Sequence, residues 1–333
     1  MDFLLYEILS RILGAYSLML IILGTIFNFI IFYICSKKPL RNISTFKFLS
    51  ILALSDTICL YEWNLKHFTV AYFNIAYNFV YLSWCRLELF LQYTFLQYSA
   101  WILVSIALDR LLSTLNNNWR NFYTTGNRIY YYLVFLIILL SGINSPILIR
   151  MGYYTFKNGT ENLNCLATYE NDFTLFNTMS GIHLYLFSIV PFISLVIINS
   201  KLIYTAVISK RRKIGLTNEA FKKKFDMTKT ILILTIQFIV LTLPSSIVSR
   251  FFYVIMIQSR IGKIVLFVCD NFSFSFNSFN IITLYLTNKK FKDELKSTFK
   301  IKMDRESTSK FINSSSTIKK DFKGVGSNLR TNS

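Results

Sequence analysis

The sequence is short of charge. Of its 333 residues only 16% are charged against 53% hydrophobic, too apolar a balance for an ordinary soluble protein of two domains. Its five cysteines show no zinc spacing and no CxxC pair, and its two histidines, His67 and His183, read as lone interface residues rather than metal ligands. No HExxH, no GxSxG and no paired catalytic aspartates occur, so the reading is not an enzyme. There is no two-fold internal repeat and no pair of interrupted apolar segments at matching positions, which argues against a transporter. A cleavable leader is not expected either, because Met1 to Ser10 lacks a basic start, contains Asp2 and Glu7, and runs straight into an apolar stretch.

What the chain does have is long apolar runs. A helix needs about 20 apolar residues to cross a hydrocarbon core about 30 Å thick. Seven runs qualify: Arg11 to Cys35, Thr45 to Val70, Trp84 to Leu115, Ile129 to Ile149, Thr178 to Ile208, Thr228 to Met256 and Ile264 to Thr287. The expected fold is therefore an all-α membrane protein, a seven-helix transmembrane bundle over residues 11–287 after a short extracellular N-terminus, 1–10. From 288 to 300, Phe291, Leu295 and Phe299 recur every four residues among Lys289, Lys292, Lys296 and Lys300, the pattern of a short eighth helix lying on the membrane surface. Residues 301–333, rich in Ser, Thr, Lys and Asn, read as a disordered cytoplasmic tail whose phosphorylation would create a docking site, with arrestin as the expected partner.

The net charge of +19 is not a nucleic-acid footprint, because the basic residues sit in short segments between apolar runs rather than on one globular face. They set orientation instead. Lys37, Lys38, Arg41 and Lys47 follow the first run and Lys210, Arg211, Arg212, Lys213, Lys222, Lys223 and Lys224 follow the fifth, whereas Val70 to Trp84 carries no charge. The positive-inside rule then puts the C-terminus in the cytoplasm and the N-terminus outside the cell membrane. Asn158-Gly159-Thr160, a glycosylation sequon, falls on the expected outer side. Cys85 and Cys165 fall there too, where an oxidising compartment favours their pairing.

Polar groups deep in a bilayer need a reason. Asp56 lies mid-span, and near its depth the other runs offer Asn28, Ser99, Asn277, Ser278 and Asn280, either a hydrated cluster holding a small cation such as sodium or hydrogen bonds that only join helices. Asp109-Arg110 closes the third run 25 residues after Cys85, about 38 Å of helix at 1.5 Å per residue. Three of the four prolines, Pro146, Pro191 and Pro244, lie inside runs, where each removes a backbone donor and allows a kink.

In that order these residues resemble a rhodopsin-like (class A) G-protein-coupled receptor from about Gly14 to Phe299: Asn28, the motif Leu52 to Asp56, Cys85, Asp109-Arg110, Cys165, Pro191, Pro244, Asn277-Ser278, Tyr285 and Phe291. The resemblance implies a Cys85–Cys165 disulfide and an interior sodium and activation cluster around Asp56. It also implies a switch of Asp109, Arg110 and Tyr285 that engages a heterotrimeric G protein when the sixth helix swings outward. The departures are several. Leu136 and Leu241-Thr242 replace the usual tryptophans of the fourth and sixth helices, Leu111 ends the Asp-Arg motif, Asn199 replaces a tyrosine, and Lys224 stands where Arg110 would find an acidic partner. Ile281-Ile282 replaces an Asn-Pro pair.

Ser275 in place of the opsin lysine argues against retinal, and Gln92 in place of the aminergic aspartate argues against a monoamine. Glu62, Glu88 and Asp270, together with Gln92, Tyr93 and Phe272, are the ligand-pocket candidates; carboxylates next to aromatic faces suit the cationic group of a short peptide. Asn288-Lys289-Lys290-Phe291 is similar to FMRFamide-type neuropeptide receptors. A chemosensory receptor of the same fold and a small transporter are the alternatives.

Overall fold

The computed structural model describes residues 2–74, 81–115, 128–157, 160–165, 174–212 and 218–300. Asn158 and the tail from 301 onward lie outside the described residues. Within them the chain is mostly helical, as a lipid-embedded backbone must be: with no water to bond, each peptide group finds its partner along its own helix.

Helix α1 spans Phe3–Cys35, α2 is the single turn Lys38–Arg41, α3 spans Ser44–Phe73, α4 Leu82–Leu115 and α5 Arg128–Arg150. Helix α6, Thr174–His183, runs through a π segment, Leu184–Ile189, into α7, Val190–Arg212. Helix α8, Asn218–Ile247, runs through a second π segment, Val248–Phe252, into the short α9, Tyr253–Met256; α10 then spans Arg260–Thr287. A further helix, α11, covers residues 289–300. Among the described residues, six stretches are long and apolar enough to cross a membrane. Helix α10 matches them in length, at 28 residues, but Asp270, Asn271, Asn277 and Asn280 interrupt its apolar run.

The helices outrun the apolar stretches. Helix α1 begins at Phe3 rather than Arg11, and α8 at Asn218 rather than Thr228. Hydropathy marks only lipid-length segments, whereas the hydrogen-bond ladder continues into polar sequence.

The all-α expectation needs one correction. Tyr153–Lys157 (β1) pairs antiparallel with Thr160–Asn164 (β2), Tyr153 opposite Asn164 and Lys157 opposite Thr160. The hairpin opens after Gly152, whose φ of 74° is the left-handed conformation that glycine adopts without steric cost. It is tied to α4: Arg86 donates to the carbonyls of Met151 (2.6 Å) and Gly152 (3.4 Å), and the Leu82 amide donates to Tyr154 Oη at 3.1 Å.

Helices α3 and α4 form the middle of the bundle, 72% of each span's apolar stretch being buried, against 28% for α5. Helix α3 packs on α1, α4 and α10, and α10 in turn on α1 and α8. Pro191 follows the first π segment by two residues and Pro244 precedes the second by four, while Pro146 sits within α5. A proline ring excludes the carbonyl four residues back, and widening to a π turn re-spaces the ladder nearby.

Candidate functional site

The bundle is joined through its interior at Asp56, on α3 and fully buried. Ser99 Oγ on α4 donates to Oδ1 at 2.9 Å, Asn277 Nδ2 on α10 donates to the same oxygen at 2.7 Å, and Asn280 Nδ2 donates to Oδ2 at 2.9 Å. Asn277 and Asn280 are three apart and so share a helix face. Between them the backbone leaves helical geometry at Phe279 (φ −106°, ψ 15°), in a helix that has no proline there. Asn28 on α1 joins one step further out, donating to the Asn277 carbonyl at 2.9 Å. Ser278 turns away from the carboxylate and donates to the carbonyls of Leu20 (3.2 Å) and Phe274 (3.3 Å).

At one end of the bundle Cys85 and Cys165 form a disulfide, with Cα atoms 5.9 Å apart, within a buried cluster of Leu89, Ile147, Met151 and Met179. Beside it opens a cavity of about 590 Å³. Of the pocket candidates, Gln92, Tyr93 and Asp270 line it. Glu62 and Glu88 do not; they are buried between α3 and α4, within electrostatic reach of each other. Phe272 is 57% exposed on the outside of the bundle.

Asp270 binds the cavity floor together. Its Oδ2 accepts from Trp63 Nε1 at 2.8 Å and lies 3.3 Å from His67 Nε2, both on α3; its Oδ1 accepts from Ser245 Oγ on α8 at 2.9 Å. The His67 ring stacks on Phe267 with centroids 4.1 Å apart. Across the cavity His183 lies between Tyr93 (4.5 Å) and Phe187 (5.1 Å), nearly parallel to both. Both histidines, read from sequence as bland, are cavity residues. The spacing of Trp63, His67 and Asp270 could not show this, since the contact joins residues more than 200 positions apart. Inward from His183, the rings of Phe187, Phe238 and Phe276 meet edge to face at 5.8 and 5.4 Å, and Phe276 adjoins Asn277 in sequence.

At the opposite end, Asp109 is buried and Arg110 half-buried. Arg110 donates to Asp109 Oδ2 at 3.1 Å and to Ser44 Oγ at 3.0 Å, and Ser44 donates to the same Asp109 oxygen at 2.7 Å. The arginine is thus held by its own neighbour and the first turn of α3. Tyr285 lies near this end of α10, half-buried. Three side-chain contacts absent from the sequence reading fasten α8 to α10 here. Thr283 donates to Gln237 Oε1 at 2.7 Å, Thr287 donates to Thr230 at 2.9 Å, and Asn288 Nδ2 lies 2.9 Å from the Met227 sulfur.

A helical membrane protein with a cavity at one end, a restrained arginine at the other and a buried carboxylate network between them has the build of a transmembrane signalling receptor. The family model of the seven-transmembrane receptor (rhodopsin family) matches residues 28–289, and the chain belongs to that family. It is a multi-pass membrane protein of a family of G-protein-coupled receptors, which are receptors rather than enzymes. A search of curated proteins found no match.

Proposed function

We propose that the chain is a cell-membrane receptor that binds a short peptide from outside in the cavity beside the disulfide and activates a heterotrimeric G protein at the Asp109–Arg110 end. The N-terminus is then extracellular and the C-terminus cytoplasmic, which agrees with the basic residues that follow α1 and α7 in sequence. One observation carries the reading: Asp270 and Gln237 lie on helices that meet both at the cavity floor, through Ser245, and at the far end, through Thr283. A ligand that binds better when α8 is displaced therefore favours the open state by that difference in affinity and no more. Phosphorylation of the Ser/Thr-rich tail recruiting arrestin belongs to the same reading.

A sodium ion at Asp56 is part of it. The donor set fits: Oδ2 accepts only from Asn280, which leaves a carboxylate lone pair, and the Oδ1 atoms of Asn28 and Asn280 are buried without a hydrogen-bond partner among the described residues. Asp56, Ser99, Asn28 and Asn280 would hold the ion, whose charge would neutralise the carboxylate.

The test reconstitutes the purified chain in lipid vesicles with a G protein. Peptide-dependent nucleotide exchange without solute flux is the expected result. Flux without exchange would identify a transporter and refute the proposal.

A further inference from the structure

The cavity's charges are unequally engaged. Its lining includes four cationic side chains, Arg11, Lys66, Arg250 and Lys263, and two carboxylates, Glu7 and Asp270. Glu7 is taken by Arg11, 2.7 Å away and one helical turn on. Asp270 already serves Trp63, His67 and Ser245. Lys66 lies over the Trp63 ring, 4.0 Å from its centre, within electrostatic reach of Glu88 and Asp270.

Arg250 and Lys263 remain, and among the described residues no carboxylate forms an ion pair with either. Arg250 is half-buried on the second π segment, its guanidinium beside Gly181, where a Cβ would stand 3.8 Å from it. Tyr93 on α4 is within electrostatic reach of it. Lys263 is exposed in the first turn of α10. A guanidinium partly withdrawn from water with no counter-charge is costly, and an anion that takes its planar fork offsets the cost.

We infer that the ligand presents an anionic group, a carboxylate or its equivalent, to Arg250 and Lys263, and lays an aromatic or apolar body on Tyr93, His183 and Phe187. The inference rests on the receptor reading above, and it reverses the ligand polarity expected from the sequence. A cationic group finds Asp270 engaged and Glu62 and Glu88 behind the wall. For a peptide the anion is a free C-terminus or an acidic side chain; for a small molecule it is an aromatic acid.

The full chain in lipid nanodiscs is exposed to three probe pools, with bound species read by mass spectrometry: random tetrapeptides with free C-termini, the same tetrapeptides amidated, and small aromatic carboxylates. Enrichment of free-acid or acidic peptides is expected, falling about ten- to a hundredfold for Arg250→Gln, as loss of a charge-assisted hydrogen bond dictates, with partial recovery in Arg250→Lys. Should Arg250→Gln not fold, Lys263→Gln carries the same test with a smaller expected loss. Enrichment of cationic peptides, of amidated peptides that lack an acidic side chain, or of peptide acids indifferent to both substitutions overturns the anion inference and leaves the peptide receptor intact. Enrichment of aromatic carboxylates alone, sensitive to Arg250, upholds the anion and overturns the peptide. Binding from none of the pools overturns both.

Discussion

The contacts that fasten α8 to α10 away from the cavity permit a quantitative prediction. Thr283 donates to Gln237 at 2.7 Å across two helices whose separation the proposed activation requires. The double substitution Gln237→Leu, Thr283→Val removes donor and acceptor together while keeping side-chain shape, so neither group is left orphaned. Hydrogen bonds between membrane helices contribute on average about 0.6 kcal/mol and at most about 1.7 kcal/mol. If the bond exists only in the closed state, its loss raises the open population, and with it ligand-free nucleotide exchange, by roughly three- to twentyfold. Thr283→Val alone should raise it further, because Gln237 then keeps its desolvation cost without its donor. The assay is basal exchange on a reconstituted G protein, normalised to receptor amount, with the unfolding midpoint measured alongside. Basal exchange unchanged in both variants, at wild-type receptor levels, would refute the assignment of this pair as a closing contact.

Cys85→Ala and Cys165→Ala should each lower surface expression or binding, with the double variant no worse; closing a loop of 80 residues corresponds to roughly 4 to 5 kcal/mol in the chain-entropy model, and additive losses would show two separate roles. Arg110→Ala should abolish G-protein activation while ligand binding stays largely intact, and undiminished exchange in that variant would remove Arg110 from the switch. Gly262→Ala should sharply reduce folded receptor at the surface, because a Cβ there would collide with the Met256 backbone at the end of α9. Normal expression of Gly262→Ala would mean that this turn relaxes freely.

Helices were legible in the sequence because a run of about 20 apolar residues has few alternatives to a helix in lipid. The β1–β2 hairpin was not, since five-residue strands beyond the bilayer leave no such mark. Depth in the bundle can be counted along the chain, which is how Ser99, Asn277, Ser278 and Asn280 come to be considered with Asp56. Rotation about the helix axis cannot be counted. It depends on packing, and it decides that Ser278 faces Leu20 while Asn277 and Asn280 face the carboxylate. The same ignorance of rotation put Phe272 in the pocket and left His183 and Arg250 out of it.

The missing tryptophan before Pro244 in α8 and the missing proline in α10 leave a lever whose energies can be bounded. Arg250 lies six residues beyond Pro244 and Gln237 seven before it, so along the helix the inferred anion contact and the nearest closing contact are each about 10 Å from the proline. Thr230 is about 20 Å from it, on the same side as Gln237. Three closing contacts at about 0.6 kcal/mol each hold the helix by roughly 2 kcal/mol, and an anion that binds the displaced position about thirtyfold better offsets them. A charge-assisted pair to one arginine is of that size. The ligand therefore need not strain the core or rotate a large aromatic ring: a modest electrostatic preference at the outer arm is commensurate with the weak polar contacts at the inner one.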